Sequence, residues 1–463
     1  MKLSKLAFSV VLGLAVSACS NQMSKDGSLE AAQQDYQNYE EITKQFSINE
    51  QWWRGYNDSQ LNSLVDEAIA NNLNLAKSAI AVNKALYNAN LVGANLIPTF
   101  SGSGSASAAK GVGSSSNERS VGTSTITNTA TFSLSYTVDL WRRLADTASA
   151  AEWEHKATIE DLKSTRLSLI NSVVATYYQI AYYKDAIAVT ERTIKNYESI
   201  ANILNNKLAA GAIDPLAVEQ AQQATLNARN NVISLRANLK VAEQTLRNLL
   251  NLKPNQPLPA KYPSILSVKL QGVDTNVPVS VIANRPDVTA ALQRLQSQFN
   301  TLTATEKSWF PTLTLGASLS SSASKVRDVG DNPVGSGVIS LSLPFLDWAR
   351  VQNNIKVSEQ NYLTTRANYE QTVTTALNEI DRYYYTYQQS RNSLATLQKV
   401  HEHNKKITQY YKNRYDAGLS EFRLWIAAMN TELNSQLSIL NQKYTILTNE
   451  NLVYQAMAGK YAR

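Results

Sequence analysis

The segment SLSYTVDLWRR at Ser133–Arg143 returns as SLSLPFLDWAR at Ser340–Arg350, and this recurrence decides the fold. Trp141 and Trp348 are 207 positions apart, as are Arg143 and Arg350, Glu152 and Glu359, Tyr177 and Tyr384, and Gly211 and Gly418. The offset holds from a strand-like segment, through a long helix-like one, to a glycine turn. Upstream it is 213: Ile69-Ala70-Asn71 answers Ile282-Ala283-Asn284, and Pro98 answers Pro311. The second copy has therefore lost about six residues between Pro311 and Ser340, in a Gly/Ser-rich stretch of the kind where exposed loops collect deletions. Self-similarity at a fixed long spacing marks a duplicated architecture. The unit reads helix–strand–loop–strand–helix–turn–helix, with a first repeat over 61–250, a connector over 251–280, a second repeat over 281–459 and a tail over 460–463. Pro254, Pro257, Pro259 and Pro263 mark the connector.

The strand-like segments carry a period of two. Phe100, Gly102, Gly104, Ala106 and Ala108 fall on one face, with Ser101, Ser103, Ser105 and Ser107 on the other. Phe132, Leu134, Tyr136 and Val138 oppose Thr131, Ser133, Ser135 and Thr137. The second copy alternates likewise through Leu313, Leu315, Ala317 and Leu319, then Ile339, Leu341, Leu343 and Phe345. Strands of about ten residues, apolar on one side and Ser/Thr on the other, have the pattern of transmembrane β-strands. Lys110–Asn128 and Lys325–Asn332 read as the loops between them, rich in turn-forming residues.

The helix-like segments are long. Asp139 to Leu208 contains neither Pro nor Gly, and a helix over most of that span measures roughly 90–100 Å at ~1.5 Å per residue. Ile180, Tyr183, Ile187, Thr190, Ile194, Tyr197, Ala201, Leu204 and Leu208 alternate spacings of three and four, and Val218, Ala221, Thr225, Ala228, Val232, Leu235, Leu239, Ala242, Leu246 and Leu249 resume them after the turn. This predicts coiled-coil packing between helices. In the second copy His401, Asn404, Thr408, Tyr411 and Tyr415 replace Ile194, Tyr197, Ala201, Leu204 and Leu208. That change predicts a second hairpin facing water, or a partner that moves, near its tip. A first helix is expected from Leu61 towards Asn95, with Asp58 as its N-cap.

Lys2, Lys5, the apolar run Leu6–Val16 and the small residues before Cys19 make 1–18 a secretory signal rather than a membrane span. The segment resembles a bacterial lipobox, which implies cleavage before Cys19 and a covalent lipid on its thiol. Ser20 follows where Asp would favour inner-membrane retention in bacterial lipoproteins, so the outer membrane is the expected address. Cys19 is the only cysteine, which excludes disulfides and a cysteine metal site. Residues 19–60 begin as a polar leader, read as irregular to about Gln51. The formal charge of +7 is spread along the helices without a basic block, so no nucleic-acid partner is expected. No apolar run past the signal reaches the ~18 residues of a membrane helix. Any crossing must be made by strands, and four strands cannot close a barrel alone. Oligomerisation follows, with the number of copies open.

The layout resembles the outer-membrane factors of tripartite efflux systems, the TolC/OprM-type channel lipoproteins. The resemblance is carried by Trp52-Trp53, Ile97-Pro98-Thr99-Phe100, Tyr136-Thr137-Val138-Asp139-Leu140-Trp141, Asn284-Arg285-Pro286-Asp287-Val288, Phe310-Pro311-Thr312-Leu313 and Leu343-Pro344-Phe345. It implies a homotrimer with a twelve-stranded β-barrel, four strands per chain, continuous with a trimeric α-barrel tunnel through the periplasm. It also implies a periplasmic adaptor (membrane fusion protein) and an inner-membrane RND or ABC transporter as partners, and a gate at the periplasmic tip. The alternatives are the channel of a type I protein secretion system, a periplasmic adaptor, or a structural coiled-coil lipoprotein. Lipidation and the OprM-like motifs favour drug-type efflux.

No catalytic set or cofactor site is expected. His155, His401 and His403 are the only histidines, and the last two, two apart on a helix, diverge. Tyr415 and Gly418 match the family's Tyr-x-x-Gly turn. Tyr415, with Arg414, Asp416, Glu421 and Arg423, makes the candidate gate. The family's acidic pair falls here at Leu424 and Ala427, and its basic position at Ser420, so Arg423 or Glu421 is expected to substitute. The tips, Gly211, Ala212, Ile213 and Asp214 with Gly418, Leu419 and Ser420, are the expected adaptor contacts. The Tyr383, Tyr384, Tyr385 and Tyr387 run, matched by Tyr177 and Tyr178, is expected to pack between helices.

Overall fold

Side-chain caps open helices of the first repeat, and the glycine C-caps of the two hairpins are common to both repeats. In the computed structural model, residues 27–110, 124–259 and 261–462 are described. The signal, Cys19 and most of the loop expected at Lys110–Asn128 lie outside them. The chain divides into two units. One holds 88–154 and 291–370 with the N-terminal residues to 38, and the other holds 39–87, 155–290 and 371–463.

In the first unit a helix α1 spans Ser28–Thr43, so the leader read as irregular is partly helical. Its sequence is polar, but Leu29 and Ala32 are buried. Ser28 Oγ lies 2.6 Å from Tyr362 Oη, and Gln33 Nε2 donates to Gln296 Oε1 at 2.7 Å. Four antiparallel strands follow one another across a single sheet: β2 (Thr99–Ala109), β3 (Thr125–Val138), β4 (Thr312–Ala323) and β5 (Val334–Ser342), with β1 reserved for a short strand at Ser47–Asn49. β3 starts inside the stretch read as loop. β5 ends two residues before Pro344, because a proline there has no N–H for the ladder and opens a 3-10 turn at Pro344–Asp347 instead. The register sorts the faces. Ser101, Ser133, Ser318 and Ser336 form one continuous row across the sheet, and Phe100, Leu134, Ala317 and Gly337 form the next. None of the four strands contains a charged residue. Trp141 stacks on Phe310 at 4.7 Å and donates to the Pro311 carbonyl at 2.9 Å, joining the two copies at the strand ends.

The long helices are α4 (Arg143–Ala209), α5 (Pro215–Leu249), α7 (Trp348–Asp416) and α8 (Phe422–Ala456). Asp139 opens α4 by accepting from the N–H groups of Leu144 and Ala145 at 3.0 and 2.8 Å. A helix α6 spans Pro286–Glu306. Its equivalent, 213 positions earlier, is α3 (Leu73–Gly93), and the single helix expected from Leu61 towards Asn95 is instead two, α2 (Ser59–Asn71) and α3. Asn72 breaks it. Its side chain caps α3 through Asn74 N and Leu75 N, at 3.0 and 3.1 Å, and donates to the Leu249 carbonyl at 2.9 Å. The equivalent residue in the second repeat is Arg285, whose Nη1 donates to the carbonyl of Ala456, the counterpart of Leu249. One clasp is thus built twice.

The core of the second unit gathers Trp52, Trp53, Tyr177, Tyr178, Val173, Val174 and Leu246. The predicted seam holds: Tyr197, Ala201 and Leu204 on α4 and Val218, Ala221, Ala228 and Val232 on α5 are all buried. Glu450 is fully buried and accepts from Tyr56 Oη and Gly272 N, each at 2.7 Å, which ties the connector to α8. The tail is not free. Lys460–Ala462 forms β6, antiparallel to β1. The tyrosine run separates, with Tyr384 and Tyr387 buried and Tyr385 exposed.

Candidate functional site

The candidate site is the paired hairpin ends in the second unit. Both turns are Schellman caps, in which the last carbonyls of a helix accept from the residues that follow it. Ala212 N donates to Lys207 O and Gly211 N to Leu208 O, each at 2.9 Å. Leu419 N donates to Arg414 O at 2.8 Å and Gly418 N to Tyr415 O at 3.0 Å, the same bonds 207 positions on. Gly211 (φ +68°) and Gly418 (φ +72°) occupy the left-handed position that each cap requires. Asp214 caps α5 through Leu216 N at 2.9 Å, whereas its counterpart Glu421 makes no such bond to α8.

The five gate residues are not one cluster. Tyr415 turns inward. Its ring meets Phe422 at 5.6 Å and Trp425 at 5.5 Å, and Lys207 of the first hairpin sits 5.2 Å from its centroid. Its hydroxyl is buried without a hydrogen-bond partner. Burial, then the Asp416 carboxylate, holds its pKa above the ordinary phenol value. Phe422, Trp425 and Ile426 share one apolar core with Tyr197, Leu204 and Val218, with Ile213, Tyr411 and Tyr415 packed against it. The expectation that this end of the second hairpin faces water or a moving partner is therefore corrected for Tyr411 and Tyr415, which are half-buried against a core that both hairpins build. Tyr197 Oη also donates to Asn430 Oδ1 across the hairpins at 2.8 Å.

The charged members stay at the surface. Arg414 donates to Leu419 O at 3.0 Å and to Tyr410 Oη at 3.2 Å, bracing the turn. Asp416 pairs with Lys412 at 2.8 Å, and Glu421 with Arg423 at 3.5 Å, both pairs exposed. Such pairs contribute at most about 1 kcal/mol each. Leu419 is exposed and Ser420 Oγ is buried and unpaired. The sequence signal for this core lies after the turn, where the two copies diverge: Val218 becomes Trp425 and Pro215 becomes Phe422.

Arg285, the centre of the most distinctive motif, lies elsewhere in this unit. Its guanidinium grips both oxygens of Asp287 at 3.0 and 2.6 Å and reaches Glu379 at 3.0 Å. Burial opposes its charge, and the two carboxylates more than offset that, leaving its pKa raised. This is a structural clasp.

Residues 64–252 and 277–459 match the family described as outer membrane efflux protein. The chain belongs to that family. The two matched segments follow the two repeats of this efflux protein and skip the connector. An uncharacterized protein of Haemophilus influenzae is 54% identical to it over 460 residues, covering 99% of each chain. Toxin and drug export protein A of Aggregatibacter actinomycetemcomitans is 52% identical over 460 residues, again covering 99% of each. The solved outer-membrane channel OprN shares the fold, with a TM-score of 0.80 over 89% of this chain and 93% of that one at 20% identity. Membership makes the efflux protein a passive outer-membrane conduit and not an enzyme.

Proposed function

We propose that the chain is the exit channel of a tripartite efflux pump, carrying drugs or other small molecules from the periplasm to the outside. The observation that carries this is the four-stranded sheet. It is uncharged, apolar on one face and hydroxyl-bearing on the other, and it ends in two unpaired edges. Open edges in lipid leave backbone groups unpaired at several kcal/mol each, so the sheet must be completed by other copies. In this reading three copies close a twelve-stranded barrel and their hairpins form the tunnel. Lipid on Cys19 holds the assembly to the outer membrane. A periplasmic adaptor meets the tips, Gly211–Asp214 and Gly418–Ser420, and an inner-membrane RND or ABC transporter drives the flow. The gate lies at the same tips, around Arg414, Tyr415, Asp416, Glu421 and Arg423.

The relative named for toxin and drug export supports drugs as cargo and also a second reading, in which the channel serves secretion of a protein toxin. A deletion strain tests both. Loss of the gene raises sensitivity to small apolar drugs if efflux is the role, and abolishes an extracellular protein if secretion is. A deletion that changes neither, in a cell with no redundant channel, contradicts both.

A further inference from the structure

Where the strands hand over to the long helices, the two repeats differ in charge. β3 ends at Val138 and the chain continues Asp139-Leu140-Trp141-Arg142-Arg143, and the positions 207 further on read Leu346-Asp347-Trp348-Ala349-Arg350. The second repeat has one cation here and neutralises it, because Arg350 Nε pairs with Asp347 Oδ2 at 3.0 Å. The first repeat has two, and neither the Arg142 nor the Arg143 guanidinium has a partner among the described residues. The acids nearest in sequence are already engaged. Asp139 accepts from Leu144 N and Ala145 N at 3.0 and 2.8 Å, and Asp146 pairs with Lys307.

Arg142 is also held at φ +60°, a region that its Cβ disfavours. Its counterpart Ala349 lies inside α7 instead. Strain kept at a residue whose side chain bonds to nothing in its own chain points to a role for that side chain outside the chain. The surroundings indicate what it meets. Leu140 is 59% exposed and Trp141 45%, although the Trp141 N–H is fixed to the Pro311 carbonyl. Exposed indole and cations at the end of an uncharged strand suit the layer where membrane hydrocarbon gives way to headgroups.

We propose that Leu140, Trp141, Arg142 and Arg143 bind the headgroup of an anionic phospholipid in the periplasmic leaflet, a site that the second repeat lacks. The guanidinium groups donate to the phosphate oxygens, for which their forked geometry is matched. Leu140 and Trp141 lie against the glycerol and the first methylenes of the chains. Two cations with no free acid beside them select a headgroup of net negative charge over a zwitterionic one. Leu140 answers to Asp347 and Arg142 to Ala349, so two substitutions separate a charged lipid site from a neutral one.

The site requires strands that cross the outer membrane, the reading proposed for the channel, and one experiment separates the two. Full-length protein is reconstituted in phosphatidylcholine bilayers with rising amounts of brominated phosphatidylglycerol or brominated phosphatidylcholine. The tryptophan emission that Trp141→Phe removes reports the site. Each arginine close to the headgroups changes affinity about fivefold, and the pair roughly twenty-five-fold. Brominated phosphatidylglycerol should therefore half-quench that emission at a far lower mole fraction than brominated phosphatidylcholine, and salt should shrink the difference. Arg142→Gly keeps the turn, because glycine enters the left-handed region freely, and should lose about fivefold of the preference, as should Arg143→Gln. Arg350→Gln should lose none. Equal quenching by the two lipids, or a preference untouched in both arginine variants or lowered as much in Arg350→Gln, overturns the inference and leaves an inserted, conducting channel standing. Relief of the quenching by excess inorganic phosphate assigns the site to a soluble anion and overturns the lipid. Protein that neither inserts nor conducts overturns both.

Discussion

Replacing Trp425 and Tyr415 separately tests what holds the candidate gate. The Trp425 side chain is buried and meets both Tyr415 and Phe422, at 5.5 and 5.8 Å. Truncating a buried aromatic to Ala costs about 3–5 kcal/mol. The Tyr415 hydroxyl has no partner to lose, and an unpaired buried hydroxyl is itself a burden of about 1–3 kcal/mol. Trp425→Ala should therefore loosen the tip, while Tyr415→Phe should be neutral or tighten it. If the loss falls on local opening, about 3 kcal/mol raises the open population roughly a hundredfold. Amide hydrogen exchange across 197–228 and 411–433 reads this directly, and Trp425→Ala should accelerate it by that order. Acceleration by Tyr415→Phe equal to that of Trp425→Ala would refute the reasoning, because it would mean that the hydroxyl carries a bond essential to the tip.

Removing Arg285 should be costly in a different place. Arg285→Met removes the donor to the half-exposed Asp287 and Glu379 carboxylates and leaves the Ala456 carbonyl unpaired, a loss of about 1–3 kcal/mol, seen as a lower Tm with no change in exchange at the tips. Gly418→Ala and Gly211→Ala should each cost about 1–2 kcal/mol from the left-handed backbone alone, because a methyl group at either site meets nothing within 4 Å. Denaturant unfolding measures this, and a cost much above that range would mean a hidden contact. Stability should also fall at high pH. Burial first, then the Glu243 field, pushes the Tyr262 phenol up to about 12, and burial with Glu50 does the same for Tyr461. Their contribution is complete below pH 10 and lost as pH rises from 10 through 12. Tyr262→Phe should flatten the curve across that window.

The parts of the fold that repeat were legible, because each copy checks the other. The offsets place the four strands of the large sheet and the four long helices, whereas β1 and β6 have no counterpart in the other repeat. Features present in one copy only are less legible. The break at Asn72 was missed in the first repeat although its counterpart in the second, Arg285-Pro286, announces a boundary. α1 has no counterpart, and its polar sequence gives little sign that Leu29 and Ala32 are buried. At the tip, polar and aromatic residues on α7 suggested solvent or a moving partner. The side chains that cover Tyr415 come from after the turn and from the first hairpin, a tertiary arrangement that spacing along one helix does not record. Exposed charge at the turns was easier to see than the aromatic core beneath it.

The most direct test of the account is single-channel recording of the purified, full-length protein in planar bilayers. Discrete, small and rarely open conductances are expected from an oligomer, with open times lengthened by Trp425→Ala and unchanged by Tyr415→Phe. Silent bilayers from both the wild-type protein and Trp425→Ala, with the oligomer intact and inserted, would contradict it.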